Sequence, residues 1–324
     1  MQTDRQDIYT RVTNTLIAEL EKGVRPWLKP WSADHVAGRI TRPLRGNGLP
    51  YRGINVLMLW GSALVQGFAA PIWMTFKQAK ELGAGVRKGE KGSLVVYADR
   101  LTRTEIAEDG EETGRDIYFM KGYTVFNAEQ VDGLPDHYYA TTAPELDTLP
   151  RIDHAELFFA NTGADIRHGG DRAYYAQEAD YVRLPPFVSF RDAESYCATL
   201  AHELTHWTKH PARLNRDFGR KQWGDEGYAR EELVAEIGAA FLCCDLGITP
   251  ETREDHAAYI DHWLKVMKED KRAVFQAAAH AQKAADFLHD LQPQPAAKSG
   301  EPPQSVVYTG PDLGHPWTIA TTRR

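Results

Sequence analysis

The chain has 324 residues, of which 42% are hydrophobic and 26% are charged, a balance typical of globular proteins. This length predicts two domains, each large enough to bury its own core. The sequence contains no apolar run of about eighteen residues, which argues against a membrane-spanning helix, and its polar beginning gives no indication of a secretory signal. We therefore expect a cytoplasmic protein with no membrane partner.

Cysteine usage and the distribution of charge narrow the functional class further. Cys197, Cys243 and Cys244 lack the paired C-x-x-C spacing of thiolate zinc sites and do not suggest a disulfide framework. The net charge is −7, yet the stretch from Lys22 to Lys91 carries twelve Lys or Arg against three acids, a net +9 that leaves −16 for the remainder. A basic segment on an acidic chain indicates that one domain binds a polyanion.

The first domain is predicted to span residues 1–135. Hydrophobic periodicity, together with Gly and Thr at helix ends, predicts helices first and strands later. The predicted elements are a helix ending near residue 23, helices over 54–66 and 75–82 with Thr75 as an N-cap, and strands over 93–98 and 117–127. The acidic stretch 105–116 is predicted to be an exposed hairpin loop, and residues 136–151 a linker.

The second domain is predicted to span residues 152–291. It is expected to contain an early helix, strands over 172–176 and 180–184, and helices over 192–210, about 228–246, and from residue 249 onward. The strand at 180–184 is interpreted as an edge strand that holds a substrate peptide in extended form. Residues 292–324, rich in Pro, Gly, Ser and Thr, are predicted to be a flexible tail. The fold class is therefore α+β, with two domains.

The most specific motif is His202-Glu203-Leu204-Thr205-His206, which lies within the helix predicted over 192–210. On a helix, imidazoles four residues apart share one face and can bind the same metal ion. Two neutral imidazoles leave room for a third ligand and a water at zinc. Glu203 is placed beside that water rather than on the metal, which is the position of a general base.

A third ligand is expected from the downstream helix, where acids occur among apolar residues. A buried carboxylate needs a partner, because burying it alone costs several kcal/mol or more. Glu232 is predicted to be the third metal ligand, and Glu236, four residues later, to accept a hydrogen bond from a ligand imidazole. The sequence 232–236 resembles the E-x-x-A-[D/N/E] helix of zincins of the gluzincin type, with Glu at the last position where Asp or Asn is more usual. The predicted cofactor is Zn²⁺, with another divalent metal such as Mn²⁺ as an alternative.

Two less specific interpretations of these residues remain open. In one, His202 and His206 are structural, and Glu232 and Glu236 form ordinary ion pairs. In the other, the residues bind a metal but catalysis has been lost.

The basic segment interleaves cations with aromatic rings, as in proteins that bind unpaired nucleic acid by phosphate contact and base stacking. The alternative for each ring is a place in the core, which we expect for Trp60, Phe68 and Phe76. The predicted nucleic-acid-binding residues are Trp27, Lys29, Trp31, Arg39, Arg42, Arg45, Tyr51, Arg52, Trp73, Lys77, Lys80, Arg87, Lys88 and Lys91.

Blocks of this segment resemble the N-terminal domain of ArdC antirestriction proteins, which is shared with the leading portion of plasmid TraC-type primases. The blocks are 12–14, 23–27, 45–55, 73–79, 86–92 and 119–135, and the resemblance continues through the zincin-like region to about residue 285. It implies single-stranded DNA binding by the first domain, a zincin-like metallopeptidase fold in the second, and protection of incoming plasmid DNA from host restriction enzymes.

The predicted function is therefore that of an antirestriction protein that binds single-stranded DNA and carries a zinc-metallopeptidase site, with a host restriction enzyme as a candidate protein substrate. One alternative is a protein that shields DNA and whose metal site is structural or inactive. Another is a metallopeptidase with an unrelated substrate, whose basic domain docks RNA or an acidic protein.

Overall fold

The structure is a computed structural model that describes residues 7–23, 27, 41–106, 112–139, 148–219, 226–248 and 257–293. Lys29, Trp31 and Arg39, the predicted helix start at residue 249, and nearly all of the predicted tail lie outside these ranges. Within them, no helix combines the length and the apolar character that crossing a membrane requires.

The N-terminal segment begins with helices whose ends are set by local sequence. Asp7 caps the first helix by accepting a hydrogen bond from the Thr10 backbone N–H, and Gly67 ends the second with φ 74°. Thr75 and Gln78 form a capping box at the start of the third. The elements are α1 (Ile8–Glu21), β1 (Leu44–Arg45), α2 (Ile54–Gln66), β2 (Ile72–Met74), α3 (Phe76–Glu81), β3 (Gly85–Val86), β4 (Ser93–Ile106), β5 (Glu112–Asn127) and β6 (Val131–Asp132).

Strands β4 and β5 form a long antiparallel hairpin in a sheet of order β1-β2-β5-β4. Pairing runs without a break from Ser93↔Val125 to Ile106↔Glu112. The loop predicted over 105–116 is therefore wrong at both ends. A strand continues as long as its backbone hydrogen bonds continue, so polarity of the sequence alone does not mark the end of a strand.

The C-terminal segment combines a small sheet with a set of helices. The elements are α4 (Thr148–Ala160), β7 (Asp165–His168), β8 (Tyr174–Ala176), β9 (Tyr181–Leu184), α5 (Ala193–Trp207), α6 (Glu226–Asp245), α7 (Ala257–Glu269) and α8 (Ala273–Asp290). Strand β9 is central, since β7 pairs with it in parallel and β8 antiparallel. The prediction that residues 180–184 form an edge strand is therefore wrong, because the prediction did not include β7.

The two segments share one hydrophobic core, and the described residues up to Gln292 form one compact unit. Trp60 of α2 packs against Phe241 of α6, with ring centroids 6.0 Å apart. Thr13 of α1 donates a hydrogen bond to the Lys271 carbonyl at 2.7 Å. Within this unit the mixed α and β composition agrees with the predicted fold class. The boundary between the domains at residues 136–151 stays a prediction.

Candidate metal centre and nucleic-acid surface

Helix α5 presents two imidazoles on one face. Asp192 caps the helix by accepting a hydrogen bond from the Ser195 backbone N–H at 2.7 Å. His202 and His206 are four residues apart, so both rings project from the same side, and their centroids lie 4.9 Å apart. Glu203 follows His202 and is also buried.

Helix α6 places the Glu232 carboxylate against both imidazoles. Oε2 of Glu232 lies 3.5 Å from Nε2 of His202, and Oε1 lies 3.5 Å from Nε2 of His206. One potential ligand atom from each of the three side chains can be chosen so that all lie within 4.8 Å of one another. The structure thus brings together the three side chains that the sequence predicts as metal ligands.

The spacing of these atoms fits a divalent ion. Imidazole nitrogens and carboxylate oxygens bind zinc at about 2.0–2.2 Å, so two such ligands at tetrahedral positions are roughly 3.4 Å apart. The two 3.5 Å separations at Glu232 match this value and exceed an ordinary hydrogen bond. Three protein ligands also leave a coordination position for water or substrate, as in catalytic sites.

The charge state of Glu232 suits a metal ligand. Burial raises the pKa of the Glu232 carboxyl, but the interactions with the imidazoles of His206 and His202 outweigh burial and hold this pKa well below its ordinary value. The carboxylate is therefore ionised at neutral pH and its oxygens are available as ligands.

A second acid on α6, Glu231, contacts the ring of His206 from the other side. Its Oε1 lies 3.0 Å from Nδ1 of His206. Arg216 donates to both oxygens of Glu231, at 2.8 and 2.9 Å. Burial raises the pKa of Glu231, but the hydrogen bonds from Arg216 and His206 outweigh it and lower the pKa to about 2. The sequence shows Glu231 only as a buried acid, and no local spacing links it to Arg216.

Glu236, the predicted acceptor for a ligand imidazole, lies near the other histidine. Its Oε2 is 3.7 Å from Nδ1 of His202, which is longer than a hydrogen bond. The structure therefore brings Glu236 to the site, while the close imidazole–carboxylate contact is made by Glu231.

Several predicted nucleic-acid residues are buried instead. Trp27 is 0% exposed and packs edge-on against Trp263 of α7, with centroids 5.9 Å apart. Trp73 is 1% exposed and packs against Phe68. Tyr51 is also buried, and burial raises its pKa to about 12. These rings fill the core, so they offer no face on which a base can stack, and their prediction is corrected.

Two arginines predicted to contact phosphate form ion pairs with the C-terminal segment. Arg42 binds Asp245 at the end of α6 through two hydrogen bonds of 2.6 and 2.8 Å, and its guanidinium lies over the Phe241 ring. Arg52 pairs with Asp286 of α8. Both arginines therefore connect the N-terminal segment to the C-terminal one. The predicted role of Arg42, whose side chain is 11% exposed, is corrected, while that of Arg52, whose side chain is 38% exposed, stays a prediction.

The remaining described cations lie at or near the surface. Lys77, Lys80, Arg87, Lys88 and Lys91 are exposed, and Arg45 lies over the Tyr51 ring at 5.5 Å. Phe76, expected in the core, is 58% exposed at the start of α3, next to Lys77. Sequence reasoning missed this ring because the apolar pattern of a six-residue helix is too short to define a buried face.

The buried side-chain amide of Gln130 fixes the turn that carries Arg87, Lys88 and Lys91. Nε2 of Gln130 donates to the Lys91 carbonyl at 3.0 Å and to Glu90 at 2.9 Å. Arg87 in turn donates to Glu90. Among the described residues, neither Lys88 nor Lys91 forms an ion pair, so both charges face solvent on a fixed turn.

Two family models match the chain. The N-terminal domain of anti-restriction factor ArdC matches residues 6–126, and a zincin-like metallopeptidase matches residues 153–280. The C-terminal segment is thus a zincin-like metallopeptidase domain, and its His-His-Glu group indicates a divalent-metal site.

Relatives and solved structures extend this match over nearly the whole chain. Protein y4eC of Sinorhizobium fredii is 44% identical over 306 residues, which cover 90% of this chain and 96% of that protein. DNA primase TraC of Escherichia coli is 38% identical over 94% of this chain, which spans 29% of the primase.

The metal-free crystal structure of antirestriction ArdC protein from plasmid R388 is 48% identical with a TM-score of 0.73, and the match covers 88% of this chain and 97% of that one. Its Mn(II)-bound structure is 46% identical with a TM-score of 0.71, covering 88% and 98%. The chain belongs to the ArdC antirestriction protein family.

Proposed function

We propose that this protein is an antirestriction protein that binds single-stranded DNA through its N-terminal segment and hydrolyses peptide bonds at the His202–His206–Glu232 site. The observation that carries the hydrolytic part is the placement of the Glu232 oxygens 3.5 Å from both imidazole Nε2 atoms. Zinc is the proposed ion, and Mn(II), which the ArdC relative binds, is an alternative.

The protein's own residues supply the ligands and the base. A bound divalent ion supplies Lewis acidity toward a peptide carbonyl. His202, His206 and Glu232 hold the ion, and Glu203, adjacent to a ligand on α5, takes the proton of the attacking water. The surrounding apolar residues of α5 and α6 exclude bulk water, which strengthens these electrostatic interactions.

The proposed substrate is a host restriction enzyme, and Glu203→Ala tests whether proteolysis is needed. We expect the variant to keep its metal, because Glu203 is not a ligand in this scheme, and to lose both peptide hydrolysis and protection of DNA from restriction. Wild-type protection by a metal-loaded Glu203→Ala protein would instead support shielding of DNA alone.

The proposed DNA contacts are the exposed cations of α3 and the turn after β3, with Phe76 as a ring available for stacking. Phosphate contacts release counterions, so binding through these lysines falls steeply with salt. Affinities for single-stranded DNA, duplex DNA and RNA, measured at several salt concentrations, test this. We expect a preference for unpaired DNA; indifference to nucleic acid would exclude the proposal.

A further inference from the structure

The imidazole of His206 is held by a chain of buried hydrogen bonds that ends outside α5 and α6. Nδ1 of His206 lies 3.0 Å from Oε1 of Glu231. Arg216 donates to Glu231 from Nε at 2.8 Å and from Nη2 at 2.9 Å. Arg216 belongs to the segment that follows α5, so this segment reaches back to the metal-binding helix.

Each donor nitrogen of Arg216 has an acceptor. Nη2 also donates to the Thr205 carbonyl at 2.9 Å, and Nη1 donates to Oγ1 of Thr208 at 3.1 Å. Arg216 and Glu231 are each 5% exposed. The arginine therefore balances the Glu231 charge and adds no net charge to the interior, while it fixes the carboxylate in one orientation.

The two histidines differ in the distance from their Nδ1 atom to a carboxylate. Nδ1 of His202 lies 3.7 Å from Oε2 of Glu236, a longer separation than that between Nδ1 of His206 and Glu231. An Nδ1–H of His206 that donates to Glu231 leaves Nε2 of His206 with its lone pair, and this is the nitrogen that lies beside Glu232. The fixed carboxylate thus selects both the tautomer and the ring orientation of His206.

We propose that Glu231, held by Arg216, is the positioning residue for His206, and that the segment over residues 208–219 must pack on α6 for the site to bind its ion at full affinity. This inference rests on the metal site of the proposed function and not on peptide hydrolysis. Loss of such an outer partner typically lowers metal affinity by about 10–100-fold.

Two double variants isolate the acceptor at position 231. In Glu231→Leu/Arg216→Met the buried pair is replaced by apolar side chains of similar volume, a change that proteins often tolerate without loss of stability. In Glu231→Gln/Arg216→Met the charges are also removed, but an amide oxygen remains to accept from Nδ1 of His206. The hydrogen bonds from Arg216 to Thr205 and Thr208 are lost in both, and Lys209, whose Nζ lies 4.0 Å from Glu231, is unchanged in both.

The probe is Co(II), added to the metal-free protein and followed by its visible absorption, with affinities taken from chelator competition. Thermal unfolding of the metal-free proteins reports folding. We expect Glu231→Leu/Arg216→Met to fold, to bind Co(II) about 10–100-fold more weakly and to show an altered spectrum. Glu231→Gln/Arg216→Met is expected to recover most of the affinity and the wild-type spectrum.

Equal affinities and spectra for wild type and the leucine variant would overturn the positioning role. Equal weakening in both double variants would also overturn it, because it would assign the effect to Arg216 or to packing. If wild-type protein fails to bind Co(II), the metal site of the proposed function fails instead. These outcomes keep the two failures distinct.

Discussion

Gly238 of α6 packs so closely against Thr205 of α5 that a Cβ atom on Gly238 would lie 2.5 Å from Cγ2 of Thr205. Thr205 is 0% exposed, and its hydroxyl donates to the Ala201 carbonyl at 2.8 Å, so the side chain is fixed. The absence of a side chain at position 238 therefore sets the distance between the two helices that carry the metal ligands.

Gly238→Ala is expected to lower the free energy of unfolding by about 1–3 kcal/mol, because the new methyl group forces the helices apart. Helix propensity alone favours Ala over Gly by about 1 kcal/mol, so a net loss would isolate the packing effect. Urea unfolding of the metal-free protein measures it. Adding Thr205→Ala, which removes Cγ2 and Oγ1, should restore part of the stability and of the metal affinity. A Gly238→Ala protein that gains the full helix-propensity benefit of about 1 kcal/mol over wild type would show that the helices can separate without penalty.

Arg42→Ala is expected to destabilise the fold by about 2–3 kcal/mol, because it leaves a largely buried Asp245 without its bidentate partner. His289, with Nε2 at 3.0 Å from Asp245, limits the loss. Lys88→Ala is the matched control: it removes an exposed charge and should change stability by no more than about 0.5 kcal/mol. The midpoint of urea unfolding separates the two variants.

For nucleic-acid binding, the same two variants should show the opposite order of effect, with Lys88→Ala the more affected. If Lys88 contacts a phosphate, its removal reduces the slope of log affinity against log salt by about 0.7 for single-stranded DNA. Arg42→Ala, measured where it is fully folded, should leave the slope unchanged because that guanidinium is bound to Asp245. A reduced slope of log affinity against log salt in Arg42→Ala alone would indicate that Arg42 contacts DNA after all.

Asp180 gives the stability a measurable dependence on acid. The hydrogen bonds from Arg213 outweigh burial and lower the pKa of Asp180 from 3.8 to about 2. A lowered folded-state pKa means that the stabilisation is complete above about pH 4 and is lost as the pH falls toward 2. Asp180→Asn keeps the left-handed backbone at φ 48°, which Asn tolerates, and removes the charge. Its thermal midpoint should lie below that of wild type at pH 7, and the gap should narrow at pH 2.5. A gap that stays constant with pH would exclude the ion pair as its cause.

Removal of the divalent ion should lower stability, because an ion that binds only the folded state stabilises it by about 2.7 kcal/mol when present at one hundred times its dissociation constant. We expect chelation to lower the thermal midpoint of wild type and of Glu203→Ala alike. His206→Ala should melt at the same temperature with and without metal. A metal-dependent shift in His206→Ala would mean that the stabilising ion binds elsewhere.

Features that depend on neighbouring residues could be predicted from the sequence. Gly67 and Thr75 end and begin their helices through their own backbone or side-chain groups, and the spacing of His202 and His206 needs only a helix between them. Their prediction required no knowledge of the tertiary structure.

Features that depend on distant residues could not be predicted in this way. Trp27 is buried by Trp263, and Arg42 is neutralised by Asp245, each more than 200 positions away in the chain. Glu231 and Glu236 lie on either side of Glu232 in the sequence, and the crossing of α5 and α6 decides which of them reaches an imidazole. The sequence does not show what covers the rings and arginines of the basic segment, so their pattern alone predicts a DNA-binding surface.

The core shared by the two segments has a practical consequence for experiments that use truncated forms of the protein. In this core Trp27 packs against Trp263, and Trp60 packs against Phe241. A shortened chain that ends near residue 135, or one that starts near residue 152, would expose these rings to water. Such fragments are prone to aggregate and to bind other proteins non-specifically. An inactive fragment would therefore not show which segment binds DNA and which hydrolyses peptides. Single side-chain replacements in the intact chain are therefore the sound way to assign DNA binding and hydrolysis separately.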